Sequence, residues 1–164
     1  MERRLIQIQI ETVVKLQRYN TIQYNTIFLK NIGEFKMIKA YLVAYPMLYE
    51  GEDIEVRYSL FQDDIPIKKE SIYLEYMKPA IVGLNSILTM LLKLEQYKEE
   101  EITIIINDAS LYEIIRGCRT TKNGDVLKMA SKLKKQLVKF KDLSFINVTK
   151  DKASLAKWKE ILEG

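Results

Sequence analysis

Residues 101–117 read EITIIINDASLYEIIRG. Ile102, Ile104, Ile105 and Ile106 make a short β-branched run, too brief to prefer a helix, and predict a buried central strand. Asn107 and Asp108 end it, and Leu111, Ile114 and Ile115 then recur at helical spacing. Asp108 therefore sits at the carboxyl end of a central strand, just before a helix. Open α/β sheets place their chemistry there. An Asp also suits that position as a plain helix cap, because its carboxylate accepts bonds from the free N–H groups of the first turn. The segment alone leaves both readings open.

On its N-terminal side the chain becomes regular from Met37. Residues 38–45 (IKAYLVAY) predict a nearly continuous apolar, hence central, strand, and residues 46–53, with Pro46 and Gly51, a connecting loop. Residues 54–61 alternate, with Ile54, Val56, Tyr58 and Leu60 on one face. Gln62-Asp63-Asp64 reads as a turn. A third strand over 65–73 follows, its Pro66 suited to a sheet edge. A long helix is expected over 75–97, with Pro79 near its first turn and Ile81, Leu84, Ile87, Leu88, Leu91 and Leu94 on its apolar face. Beyond the opening segment come a polar break over 117–124 and a helix over 125–141 facing the core with Leu133, Leu137 and Phe140. A fifth strand over 143–148 precedes a last helix over 150–163 carrying Leu155, Trp158 and Leu162. The order βββ-α-β-α-α-β-α predicts an α/β fold, a five-stranded mixed sheet with helices on its faces.

The first 36 residues differ. Leu5, Ile6, Ile8, Ile10, Val13, Val14 and Leu16 fit a strand or a helix equally, and Tyr-Asn-Thr-Ile occurs twice, at 19–22 and 24–27. Gly33-Glu34-Phe35-Lys36-Met37 can be encoded as a purine-rich ribosome-binding sequence before a start codon. The expectation is an N-terminal extension (1–36), either translated upstream bacterial DNA, the favoured reading, or a real extension that adds an edge strand or a partner-binding helix, ahead of one domain (37–164). The intact mass of the protein made from its native locus tests this: a species beginning at Met37 is expected, and one beginning at Met1 would refute it.

A chain of 164 residues, 48% hydrophobic and 29% charged, can bury one sizeable core. It contains no histidine. That excludes Ser-His-Asp and Cys-His catalysis and every His-ligated metal site. One cysteine, Cys118, allows no internal disulfide, which fits a reducing cytoplasmic setting. Acid chemistry must then come from Asp and Glu through a hard cation such as magnesium. The net charge of +4 is unevenly spread. Six Lys/Arg against three Asp/Glu give +3 over 1–36, seven against fourteen give −7 over 37–115, and thirteen against five give +8 over 116–164. Lys128, Lys132, Lys135 and Lys139 fall on one face of the helix expected over 125–141. They read as a ridge that tracks phosphates or as the solvated back of an amphipathic helix.

Three stretches together resemble the ribonuclease H fold, in its reverse-transcriptase-like bacterial branch. Glu75-Tyr76-Met77 with Gly83-Leu84 resembles the first-helix motif of that branch, with one extra residue between the parts. IIINDAS at 104–110 resembles its acid-ended strand, with Ala109 inserted, and the Lys-rich helix and strand over 123–148 resemble the segment before its last helix. The resemblance covers about 37–164. It implies a domain that binds RNA–DNA hybrid or structured RNA, and four carboxylates that gather two Mg2+ or Mn2+ ions for phosphodiester hydrolysis. By this resemblance Glu75 and Asp108 are catalytic and metal-binding. The first-strand acid falls near Ala44-Tyr45-Pro46 and the last-helix acid near Ala156-Lys157, where no acid stands. Glu50, Glu52, Asp53 and Asp151 could substitute if their loops fold inward. The expected protein is a nucleic-acid-binding domain whose hydrolysis, if any, is metal-dependent and slow. The alternative is a catalytically silent module that binds a protein partner, with no membrane involved in either case.

Overall fold

A computed structural model describes residues 36–164, together with residue 9 and residues 11–15, 17 and 18. The chain divides into two compact units, Met1–Phe35 and Lys36–Gly164. In the first, the described residues are helical and exposed, Val13 and Val14 among them. The two Tyr-Asn-Thr-Ile repeats and Gly33 to Phe35 lie outside the described residues.

The second unit is a five-stranded sheet in the order β3-β2-β1-β4-β5. Its strands are β1 (Met37–Tyr45), β2 (Ile54–Gln62), β3 (Ile65–Leu74), β4 (Glu101–Ile106) and β5 (Asp142–Asn147). Its helices are α1 (Pro79–Leu94), α2 (Ala109–Ile115), α3 (Gly124–Leu137) and α4 (Lys152–Glu163), and a 3-10 turn over Glu95–Tyr97 extends α1. The expected order of elements and the mixed α/β sheet are observed.

β1 is central because both its edges are used: it pairs antiparallel with β2 and parallel with β4. β3, which contains Pro66, is the edge strand beside β2. The β2–β3 hairpin turns through Asp63 and Asp64, with φ of 49° and 64°. Asp tolerates this left-handed conformation better than most residues. Asp63 also accepts the Met37 N–H (3.0 Å), and Asp64 pairs with Lys39 (2.6 Å), which fastens the turn to β1.

The sheet pleat sorts side chains between two cores. On one face Ile38, Ala40, Leu42, Ile54, Val56, Tyr58, Ile102, Ile104 and Ile106 meet α1, α2 and α3. On the other Tyr41 and Ile105 meet Trp158 and Leu162 of α4. That is why the apolar run of β4 does not alternate: successive isoleucines enter different cores. Ile87, Leu94, Ile102 and Ile104 are fully buried, each contributing about 1.5–3 kcal/mol relative to exposure. Val82 and Met90 join the buried face of α1 as well.

Several carboxyls are held below their usual pKa. Glu55 is lowered by its bonds from Arg57 and Ser71, Asp64 by Lys39, Glu70 by Tyr58 and Lys68, and Asp151 by Ser154. A carboxyl whose folded pKa is depressed stabilises the fold above its unfolded value, near pH 4, and loses that contribution as pH falls through the lower folded value. The urea midpoint is therefore expected to drop between pH 6 and pH 3. An Arg57→Met variant should show a smaller drop, and equal drops would refute the Glu55 assignment.

Candidate functional site

The carboxyl ends of the two parallel central strands open into a small cleft beside the point where β1 turns from an antiparallel to a parallel neighbour. This is the switch-point location where open sheets hold ligands. Ala44 and Pro46 line it from β1 and the following loop, Asn107 and Asp108 from the end of β4, Pro79 and Gly83 from α1, and Trp158 from α4. Gly83 packs closely on α2: a Cβ there would stand 3.1 Å from Leu111 Cδ2, so the Leu111 side chain would have to give way by a few tenths of an ångström. The Ser86 hydroxyl, also in the wall, donates to the Gly83 carbonyl at 2.6 Å.

Asp108 stands at the strand end and caps the helix that follows. It lines the cleft, and from an extended backbone (φ −152°) its Oδ1 accepts the Leu111 N–H at 2.9 Å, capping α2. Asp108→Ala is expected to cost about 1 kcal/mol through the lost cap, read from denaturant unfolding. Asp108→Asn, which keeps an acceptor, should cost less.

Glu75 is placed differently from the expectation. The helix begins at Pro79, not at residue 75. The proline ring disfavours helical geometry in the residue before it, and Lys78 is accordingly extended, with ψ of 134°. Glu75 is left exposed in the segment between β3 and α1, outside the cleft lining.

At the two positions where the resemblance leaves gaps, the outcomes differ. Ala44 and Pro46 do face the cleft, without an acid. Ala156 and Lys157 are exposed and outside it, and the neighbouring Trp158 occupies the wall instead. Its indole N–H donates to the Ile105 carbonyl at 3.3 Å. Composition marks Trp158 only as a core residue of an amphipathic helix, and its place in the cleft depends on how α4 crosses the sheet. Glu50, Glu52 and Asp53 are exposed and do not line the cleft. Asp151 caps α4 through Ala153 and Ser154.

Among the described residues no group of three or more Cys, Asp or Glu could hold a metal ion. Magnesium asks for near-octahedral oxygen coordination, usually with one or two carboxylates per ion. Among the described residues Asp108 is the one acid that lines the cleft, with one of its oxygens engaged in the cap. Its residues do not fit an ion pair.

The lysine stripe lies on α3. Val126, Met129, Ala130, Leu133 and Leu137 face the core, while Lys128, Lys132 and Lys135 are exposed on the opposite side of the helix. The helix stops at Leu137 rather than at residue 141, so Lys139 stands in the turn beyond it. None of these four lysines is in an ion pair among the described residues.

Solved structures share this arrangement. A ribonuclease H1 from the halophilic archaeon Halobacterium salinarum NRC-1 matches with a TM-score of 0.64 and 13% identity, over 77% of this chain and 95% of that one. The LC11 ribonuclease H1, solved in complex with RNA/DNA hybrid, matches at 0.62 and 12% identity, over 77% and 94%. The chain has a ribonuclease H-like fold. The N-terminal ribonuclease H domain of a Mycobacterium tuberculosis protein, solved as a fusion with maltose binding protein, agrees at 0.61 and 10% identity, over 77% and 96%. No protein-family model matches the sequence, and no curated protein matches it significantly. At these identities the ribonuclease H likeness concerns the fold.

Proposed function

We propose that this ribonuclease H-like domain binds nucleic acid, an RNA–DNA hybrid or structured RNA, without the two-ion hydrolysis that the resemblance implies. The observation that carries the reading is the ridge of Lys128, Lys132 and Lys135, exposed, opposite the core side of α3 and in no ion pair among the described residues. A solved ribonuclease H1 of the same fold holds an RNA/DNA hybrid, which supports the choice of duplex. The cleft gives no comparable support to catalysis, because among the described residues Asp108 is the one acid that lines it and Glu75 stands outside it.

The test is to incubate the full chain with labelled RNA–DNA hybrid in magnesium and then in manganese, beside an Asp108→Asn control, and to measure binding separately. Salt-sensitive binding without cleavage is expected. Cleavage by the native chain that the variant loses would assign a working catalytic role to Asp108 and overturn the silent reading. Cleavage equal in both would belong to a contaminant.

A second reading, a silent protein-interaction module, is favoured by the edge strand β3, which leaves Ile65, Ile67 and Tyr73 exposed. A sheet edge can accept a strand from a partner. Failure of RNA, DNA and hybrid to bind at low salt would select this reading.

A further inference from the structure

A second cavity lies away from the strand-end cleft, at the outer edge of β5. Tyr112 and Ile115 of α2, Phe140 just after α3, and Phe145 of β5 give it an apolar lining with three rings, and Arg116 and Lys141 stand on it as cations beside the carboxylate of Asp142. These four apolar residues are half-buried and the three charged ones are exposed. The Arg116 guanidinium lies 5.4 Å from the centre of the Tyr112 ring, and it enters no ion pair among the described residues.

Size separates this groove from the cleft. Its volume is about 540 Å³, inside the range of roughly 300–1,000 Å³ typical of small-molecule sites. The cleft, at about 130 Å³, falls below it. Phenyl faces accept flat rings by stacking, and a cation on the rim meets an anion attached to such a ring. Planar ring plus phosphate is the chemistry of a nucleotide. The surroundings favour a strand: Lys134 and Lys135 occupy the last turn of α3, and Lys139 and Lys141 follow it, so positive charge continues from the groove along the chain that borders it.

We infer that the groove between α2, the end of α3 and β5 binds a nucleotide unit of a single strand, its base against Phe140 and Phe145 and its phosphate between Arg116 and Lys141. This site goes beyond the α3 ridge. The ridge would hold a duplex by its backbone, whereas the groove needs an unpaired base.

The experiment uses the full chain and a fluorescently labelled oligo(dT) ten-mer, which cannot pair with itself, followed by anisotropy. Phe140→Ala removes one of the two rings against which the base is placed, from a half-buried position that lines the groove. Arg116→Ala removes an exposed cation. Each is expected to weaken oligo(dT) binding by roughly tenfold to a hundredfold, while affinity for blunt RNA–DNA hybrid stays within about twofold. Arg116→Lys should recover part of the loss. Should Phe140→Ala fail to fold, Arg116→Ala carries the test alone. Competition by free dTMP would show that a mononucleotide suffices, whereas loss in the variants without such competition would assign the groove to a strand. Native affinity in both variants, or no binding of oligo(dT) and dTMP at low salt, would overturn the inference. Loss only in the Lys128→Ala, Lys132→Ala, Lys135→Ala triple variant would also overturn it, by moving the strand to the ridge. If hybrid binding fails while oligo(dT) binding depends on Arg116, the ridge proposal falls and the groove stands.

Discussion

Replacing Trp158 by Ala is expected to lower stability by about 3–5 kcal/mol, the usual cost of truncating a buried aromatic. For a unit of this size that corresponds to a fall in Tm of about 10–20 °C. Trp158 is 4% exposed and packs with Tyr41, Ile105, Val148 and Leu162. Among the described residues these are the buried members of the cluster on that face, with Val43, Phe61, Leu155 and Ile161 partly buried against it, and Trp158 is its largest side chain. The indole also donates to the Ile105 carbonyl, and loss of that bond adds about 1 kcal/mol. Trp158→Phe separates the two terms: it keeps most of the buried ring and loses the donor, and should cost about 1–2 kcal/mol. Urea unfolding of the three proteins checks this. An alanine variant within about 1 kcal/mol of native would mean that α4 is not held by this side chain.

The second large effect concerns binding. Replacing Lys128, Lys132 and Lys135 together by Ala is expected to weaken hybrid binding by about 10² to 10³ at 0.1 M salt. Each neutralised phosphate contributes close to one unit to the slope of log affinity against log salt. The triple variant should therefore lose about three units of that slope, with little change in which sequences bind. These lysines are exposed and opposite the core face of α3, so folding should be unaffected and the melting temperature serves as the control. A native slope in the variant would identify the stripe as the solvated back of an amphipathic helix.

Much of the scaffold was legible because its signals are local. The β-branched run of β4, the alternation in β2 and the proline in β3 are each set by neighbouring residues and by the pleat. The cap at Asp108 was legible too, since a strand end followed by a helix start is a local pattern. The misplaced boundaries have local causes that were undervalued. Pro79 suits the first turn of a helix, but it also forces Lys78 out of helical geometry, so the helix could not reach back to Glu75. At the other end Lys139 and Lys141 lie beyond the stop of α3 at Leu137.

The site was less legible, because it is made by crossings of distant segments. Alanine and proline near the end of β1 predict only that no acid is there, and the sheet decides that the place faces a cleft. An Asp-and-Glu pair on paper, Asp108 and Glu75, is divided once one enters the cleft and the other stays in a connecting segment. The angle at which α4 crosses the sheet puts Trp158 in the cleft wall and leaves Ala156 and Lys157 exposed. The groove of Tyr112, Phe140 and Phe145 joins residues from three elements, and no spacing in the chain announces it. By itself, then, the sequence determined the elements, their order and the absence of histidine chemistry, all functions of residue type and near neighbours. Only the tertiary structure decided which acid lines the cleft and which rings and cations line the groove, because those depend on long-range packing of side chains far apart in the chain.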